Sequence, residues 1–117
     1  MPNRSIREII AHQKVLSAPD TMTVREAAIR MAEAKVGAML ILDHGKLTGI
    51  FTERDMLNRV VAKRLDPDTT PLSQVMTADP RTISADKPLA HALVMMDEGG
   101  YRHVPVMDND QPVGMVS

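Results

Sequence analysis

Apolar residues along the chain alternate between helical spacing and short strand-like runs. After Thr23, apolar residues follow at positions i, i+3, i+4 and i+7, which predicts a helix with one buried face: Val24, Ala27, Ala28 and Met31. Thr23 and Glu26 have the T-x-x-E spacing of a capping box at the start of this helix. Gly37 is a plausible stop for it.

Two strand-like runs follow this helix. Ala38–Leu42 and Leu47–Phe51 flank the turn sequence His44-Gly45-Lys46, so they predict a β-hairpin. A short extended piece, Val15–Ala18, precedes the helix, and a second helix from Glu53 to about Arg64 follows the hairpin. The predicted order is therefore βαββα.

The same plan occurs a second time. A shift of 65 positions aligns residues 17–52 with 82–117 without a gap, and apolar positions match as well as identities. The identical pairs are Ala27/Ala92, Met31/Met96, Glu33/Glu98, Asp43/Asp108 and Gly49/Gly114. Five identities in 36 positions are few, but the repeated burial pattern makes duplication the simplest interpretation.

The second copy has its own predicted elements. These are an extended piece at Arg81–Ser84, a helix with Pro88 at its first position and the Gly99-Gly100 pair as its stop, and strands at Val104–Met107 and Val113–Val116. Ser117 is the equivalent of Thr52, so the final helix of the second copy is missing. We expect either that the chain is truncated there or that a disordered tail follows Ser117.

These elements predict the class and the domains. The class is α+β (α/β-like), built from tandem βαββα repeats. Repeat one with its lead-in is predicted at residues 1–65, a turn-rich linker at 66–71, and repeat two at 72–117.

Composition narrows the possible functions. A net charge of −1 over 117 residues and only two aromatic residues give no footprint for nucleic acid. No apolar run approaches the roughly 18 residues of a membrane span, and the N-terminus lacks the apolar core of a signal peptide. The absence of cysteine fits a reducing compartment. We therefore expect a cytoplasmic protein with no nucleic-acid or membrane partner.

Candidate chemistry is sparse. The four histidines lack metal-ligand spacing, so no metal site is expected. No nucleophile motif, Walker loop or dinucleotide fingerprint occurs, so we expect no catalytic residues, no catalytic cofactor and no enzyme activity.

Three motifs resemble those of CBS domains, named for cystathionine beta-synthase. Residues 49–55, GIFTERD, are similar to the G-h-h-[ST]-x-x-D signature, in which h is apolar. Residues 75–77, VMT, and 102–106, RHVPV, are similar to two further family motifs. The resemblance covers nearly the whole chain and implies a tandem pair, or Bateman module, with pseudo-two-fold symmetry. It also implies two clefts that commonly accept AMP, ADP, ATP, S-adenosylmethionine or NAD-type ligands.

The resemblance implies a role for particular residues. In the first cleft, Asp55 would bind the ribose hydroxyls and Thr52 would face ribose or phosphate, while strand edges hold the adenine. The first candidate site comprises Ser17, Ala18, Gly37, Ala38, Met39, Thr52, Arg54 and Asp55. The second candidate site comprises Thr82, Ile83, Tyr101, Arg102, His103, Val104 and Ser117, without the aspartate expected three residues beyond Ser117.

Each of these residues also has a structural interpretation. Thr52 and Asp55 have the spacing of a capping box, which would leave the carboxylate less free for ribose. Gly37 is equally well explained as a helix C-cap. Arg102 and His103 suit phosphate but also suit a solvated strand start, and Tyr101 is best explained as part of the core.

Three functions are compatible with these residues. The leading hypothesis is a non-enzymatic adenine-nucleotide sensor, acting as a homodimer or on an unknown regulated protein partner. A structural dimerisation module with degenerate sites is the alternative. The chain is also compatible with a regulatory fragment of a larger enzyme or transporter.

Overall fold

Residues 4–117 are described by a computed structural model, in which the predicted βαββ order appears twice. A short helix α1 (Ile6–Ile10) comes first. The first repeat follows as β1 (Ser17–Ala18), α2 (Val24–Ala34), β2 (Ala38–Asp43), β3 (Lys46–Thr52) and α3 (Glu53–Asp55), which continues as a π-helical segment, Met56–Val61.

A connecting segment leads into the second repeat. It contains a 3₁₀ turn at Leu72–Gln74 and a short strand β4 (Thr77–Ala78) that pairs with β3. The second repeat comprises β5 (Ile83–Ser84), α4 (Leu89–Gly99), β6 (Val104–Asp108) and β7 (Gln111–Val116). The predicted α+β fold with tandem repeats is confirmed.

Strand register shows the duplication most directly. In one sheet β1 runs parallel to β2, and β2 is antiparallel to β3; β5, β6 and β7 have the same relations in the other. Ile41 pairs with Gly49, and 65 positions later Val106 pairs with Gly114. A register shift follows Ile41 in one hairpin and Val106 in the other. Both predicted hairpins are confirmed, each slightly longer than expected.

The boundaries of α2 differ from expectation at one end. Thr23 is the N-cap, and its hydroxyl accepts from the Glu26 backbone N–H at 3.3 Å. The Glu26 carboxylate instead accepts from Arg30, so only half of the predicted capping box forms. The helix ends at Lys35, which adopts a left-handed φ of 58°, so the stop predicted at Gly37 was wrong.

The other predicted boundaries need smaller corrections. Pro88 is the N-cap of α4 rather than its first residue, while Gly100 ends the helix with a φ of 70° as predicted. The strands β1 and β5 are each two residues long, shorter than the extended pieces predicted for them.

The helix predicted from Glu53 to about Arg64 is only partly α-helical. Its hydrogen bonds widen to five-residue spacing, as between the Ala62 N–H and the Leu57 carbonyl at 2.9 Å. Such segments are frequent near functional sites.

The chain divides into two compact units, each with its own core. One unit is Leu16–Asp79; the other combines the segment up to Val15 with Pro80–Ser117. These two units are defined by which residues contact each other, whereas the predicted domain boundaries were defined by the repeats along the sequence. The first core is Ala18, Val24, Ala27, Met31, Met39, Ile41, Phe51, Val60, Leu72 and Val75. The second is Ile6, Ile10, Ile83, Ala85, Ala92, Val104, Val106 and Val116.

The outer edge of each hairpin is covered in a different way. In the first unit β4 pairs with β3, with Thr77 opposite Ile50. In the second, the side-chain amide of Gln13 donates to the Met115 carbonyl and accepts from the Met115 N–H, each at 2.8 Å. Met115 is the equivalent of Ile50, so one glutamine side chain takes the place of a strand.

Candidate functional site

The first candidate site lies at one end of the sheet of the Leu16–Asp79 unit. Ala38, at the start of β2, pairs with Thr52, at the end of β3. The Glu53 N–H donates to the Gly37 carbonyl at 2.9 Å, which ties the start of α3 to the residue before β2. On the other side of β2, Ser17 of β1 lies opposite Leu40. The structure thus brings together residues from three strands and one helix start.

Thr52 and Asp55 form a complete capping box. The Thr52 hydroxyl accepts from the Asp55 N–H at 3.1 Å, and Oδ2 of Asp55 accepts from the Thr52 N–H at 3.0 Å. The box satisfies two backbone groups that a helix start otherwise leaves unpaired. The structural interpretation of this spacing is therefore confirmed, and Oδ2 of Asp55 is committed to it.

The second carboxylate oxygen of Asp55 faces a cation. Arg59 Nε lies 3.6 Å from Oδ1, an i, i+4 ion pair on the same helix. Asp55 is one of two buried polar residues among residues 4–117, at 8% exposure. An ionised carboxylate has about four acceptor positions, so Oδ1 keeps acceptor capacity beyond the ion pair.

The strand residues of the first candidate site offer backbone rather than side chains. Ala18, Ala38 and Met39 are buried, and the Met39 side chain belongs to the core. Ser17 is exposed and Gly37 half-buried. A Cβ on Gly37 would lie 3.1 Å from Oε1 of Glu53, so the missing side chain leaves room for that carboxylate. A planar group could approach the main chain at Ser17, Ala18 and Ala38, where the side chains are small, whereas Glu53 occupies the space beside Gly37.

The residues of the second candidate site lie in the other unit. Val104 and Ile83 are core residues, whereas Thr82, Arg102 and Ser117 are exposed and His103 is half-buried. The Tyr101 ring lies over Gly99 and packs against the second core, as expected for a core residue. Ser117 directly follows β7, as Thr52 ends β3.

Sequence reasoning missed Arg59. The signal that points to it is its spacing from Asp55, because residues four apart on a helix lie on the same face. Its other contacts are to backbone carbonyls of Val75 and Met76, which no motif reveals.

The described part of the chain contains no cluster of three or more His, Asp or Glu side chains arranged to hold a metal ion. Within residues 4–117, every helix is too short or too polar to cross a bilayer.

The model of the CBS domain family matches this chain twice, over residues 6–62 and 72–117. The chain belongs to the CBS domain family. Its CBS domains are 39% identical over 104 residues to the CBS domain-containing protein CBSCBSPB5 of Arabidopsis thaliana. That match covers 88% of this chain but 19% of the relative, so the CBS pair spans about a fifth of the relative's length.

Solved CBS domain structures resemble this one closely. A CBS domain protein from Pyrobaculum aerophilum complexed with AMP has a TM-score of 0.88 at 30% identity, covering 97% of this chain and 87% of its own. The CBS domain pair of protein MJ0100, in complex with 5′-methylthioadenosine and S-adenosyl-L-methionine, has a TM-score of 0.87 at 26% identity. That match covers 99% of this chain and 90% of the other.

Proposed function

We propose that this CBS pair is a non-enzymatic regulatory module that binds an adenine nucleotide at the first candidate site. The observation that carries the proposal is the buried Asp55 carboxylate, held by Thr52 with Oδ1 still able to accept hydrogen bonds. Two vicinal ribose hydroxyls are donors that such a carboxylate accepts well. The ligands of the two solved relatives share an adenosine moiety, which supports this class of ligand.

The proposal favours the first candidate site over the second. Only in the first site do the described residues include an aspartate at the last position of the family motif, held by Thr52 as an acceptor for a ribose diol. A homodimer, a regulated protein partner and a cytoplasmic location stay predictions. They apply to the module formed by this chain, alone or within a larger protein.

Calorimetric titration with AMP tests the proposal, with ATP, NADH and S-adenosylmethionine as comparisons. Asp55→Asn keeps an acceptor for the Thr52 N–H but removes the charge, so we expect AMP affinity to fall about 10- to 100-fold. Wild-type protein should also prefer AMP to 2′-deoxy-AMP, and Asp55→Asn should lose most of that preference.

Asp110→Asn is the matched control, since it removes the same charge from an exposed turn residue. It should bind AMP as the wild type does. Thermal melting of each variant separates loss of binding from loss of fold. If none of the four ligands binds the folded wild type, the sensor proposal fails and a purely structural module remains.

A further inference from the structure

Arg59 connects the candidate ribose-binding carboxylate to the segment that leads into the second repeat. Its Nε faces Oδ1 of Asp55 at 3.6 Å. Its Nη1 donates to the carbonyl of Met76 at 2.9 Å and to that of Val75 at 3.3 Å. One guanidinium group therefore contacts the site and a segment 16 or 17 residues away in sequence.

The two sets of contacts differ in strength. The carbonyl contacts are within hydrogen-bond distance, whereas the ion pair is long and the Arg59 side chain is 48% exposed. The ion pair joins this half-exposed guanidinium to a carboxylate that is only 11% exposed, but 3.6 Å is too long for a hydrogen bond between them. The two carbonyls therefore fix the position of the guanidinium. That position sets how close its positive charge lies to Oδ1 of Asp55.

The contacts of Arg59 and the pairing of β3 with β4 together form a closed path from Asp55 back to Asp55. Val75 and Met76 lead directly into β4, and β4 pairs with Gly49 and Ile50 of β3. β3 ends at Thr52, whose N–H is bonded to Asp55. The Asp55 carboxylate is thus connected to the segment Val75–Ala78 in two ways. One connection runs through Arg59, and the other runs through the pairing of β3 with β4.

We propose that Arg59 is a positioning residue that orients Asp55 for the ribose and couples occupancy of this site to the segment Val75–Ala78. The inference rests on the proposed function, because it concerns the same ligand. The ribose hydroxyls would donate to Oδ1 while Arg59 stays beside it, so ligand, carboxylate, guanidinium and the two carbonyls would form one connected set of contacts. Ligand binding would then tighten the chain where it leaves the first unit.

A double-mutant cycle on AMP affinity tests the orienting role. Arg59→Gln should weaken AMP binding about three- to tenfold, a size typical of residues in direct contact. In the Asp55→Asn background the same change should have no further effect, because Arg59 acts through the carboxylate. Losses that multiply would show that Arg59 acts independently, which would overturn the role.

Hydrogen exchange of the segment Val75–Ala78 tests the coupling. Saturating AMP should slow exchange there in the wild type and leave it unchanged in Arg59→Gln. Arg59→Lys should keep AMP affinity within about twofold but lose the exchange effect, because one ammonium cannot replace a planar fork with several donors. If AMP slowed exchange in Arg59→Gln as much as in the wild type, the coupling would be overturned.

Lys63→Gln is the matched control, because it removes one positive charge from an exposed position four residues beyond Arg59. It should behave as the wild type in both experiments. Failure of the wild type to bind AMP would overturn the proposed function and this inference together. If the wild type binds AMP but the two affinity losses multiply and AMP has no effect on exchange, only the inference is overturned.

Discussion

Gly49 and Gly114 occupy equivalent positions in the two repeats, and each lies where another segment approaches the sheet. A Cβ on Gly49 would lie 2.7 Å from Sδ of Met76 and 3.0 Å from the carbonyl oxygen of Thr77. A Cβ on Gly114 would meet Ile10 and Gln13 at 2.7 and 2.8 Å. Glycine is thus required at both positions for lack of space, although the approaching segment is different in the two units.

Gly49→Ala should destabilise the protein by about 1–3 kcal/mol, because the Met76 side chain can move but the paired backbone of β4 cannot move freely. Urea denaturation would show this as a lower midpoint. Gly45→Asn is the control: Gly45 has a φ of 82° and open space around it, and Asn tolerates that conformation. Equal losses for the two variants would contradict the explanation.

At the level of single residues, part of the candidate site was predictable from sequence. The spacing of Thr52 and Asp55 predicted the capping box, and the structure contains it. Arg59 and Gln13 were not predictable, because their partners are backbone groups of residues distant in sequence: Val75 and Met76 for one, Met115 for the other. Side-chain bonds to distant backbone leave no periodic pattern in a sequence.

The equivalent helices α2 and α4 start in different ways. Thr23 caps α2 through its hydroxyl, whereas the N-cap of α4 is Pro88, which offers no side-chain hydrogen bond. α2 is also tied to the linker, where Arg25 bonds to Asp68 at 2.6 Å and lowers the pKa of that carboxyl. The sequence repeat therefore preserves the helix but not the contacts that start it.

Thr23→Ala should cost about 1 kcal/mol of unfolding free energy, the usual contribution of a hydroxyl N-cap. Thr23→Ser keeps the acceptor for the Glu26 N–H, so it should retain most of the stability. Chemical denaturation of the two variants beside the wild type measures the difference. If serine loses as much as alanine, the hydroxyl does not stabilise the helix start.

Element order was predictable because helices and strands have distinct apolar periods. The apolar pattern did not predict helix α1, the 3₁₀ turn at Leu72–Gln74, strand β4 or the π-helical character of Met56–Val61, and for the last two the physical reason is clear. The two-residue strand β4 is too short to show alternation. The π-helical segment Met56–Val61 keeps a helical apolar pattern, so nothing in the residue types distinguishes it from an α-helix.

The molecule as a whole groups its residues differently from the sequence repeat. Helix α1 precedes the first repeat but belongs to the unit of the second, where Ile6 and Ile10 are core residues. The Ile6 N–H donates to the Lys87 carbonyl and the Arg7 N–H to that of Ala85, each at 3.0 Å. The N-terminal segment is thus a structural part of the second unit.

Ile6→Ala should cost about 2–5 kcal/mol, because Ile6 is fully buried. Hydrogen exchange below the unfolding transition should show β5, β6 and β7 losing protection before β2 and β3. Ile29→Ala makes the same truncation at a half-exposed position and should change stability by about 0.5 kcal/mol or less. Uniform loss of protection across the chain would contradict an assignment of Ile6 to one unit.

The placement of α1 has a consequence for a chain emerging from the ribosome. All residues of the Leu16–Asp79 unit are contiguous, so this unit can be completed before the rest is translated. The other unit must wait, because α1 is made before the Leu16–Asp79 unit and the strands it packs against are made after it. Until then the apolar side chains of Ile6 and Ile10 lack their final neighbours, so residues synthesised before the Leu16–Asp79 unit are buried only after that unit is complete.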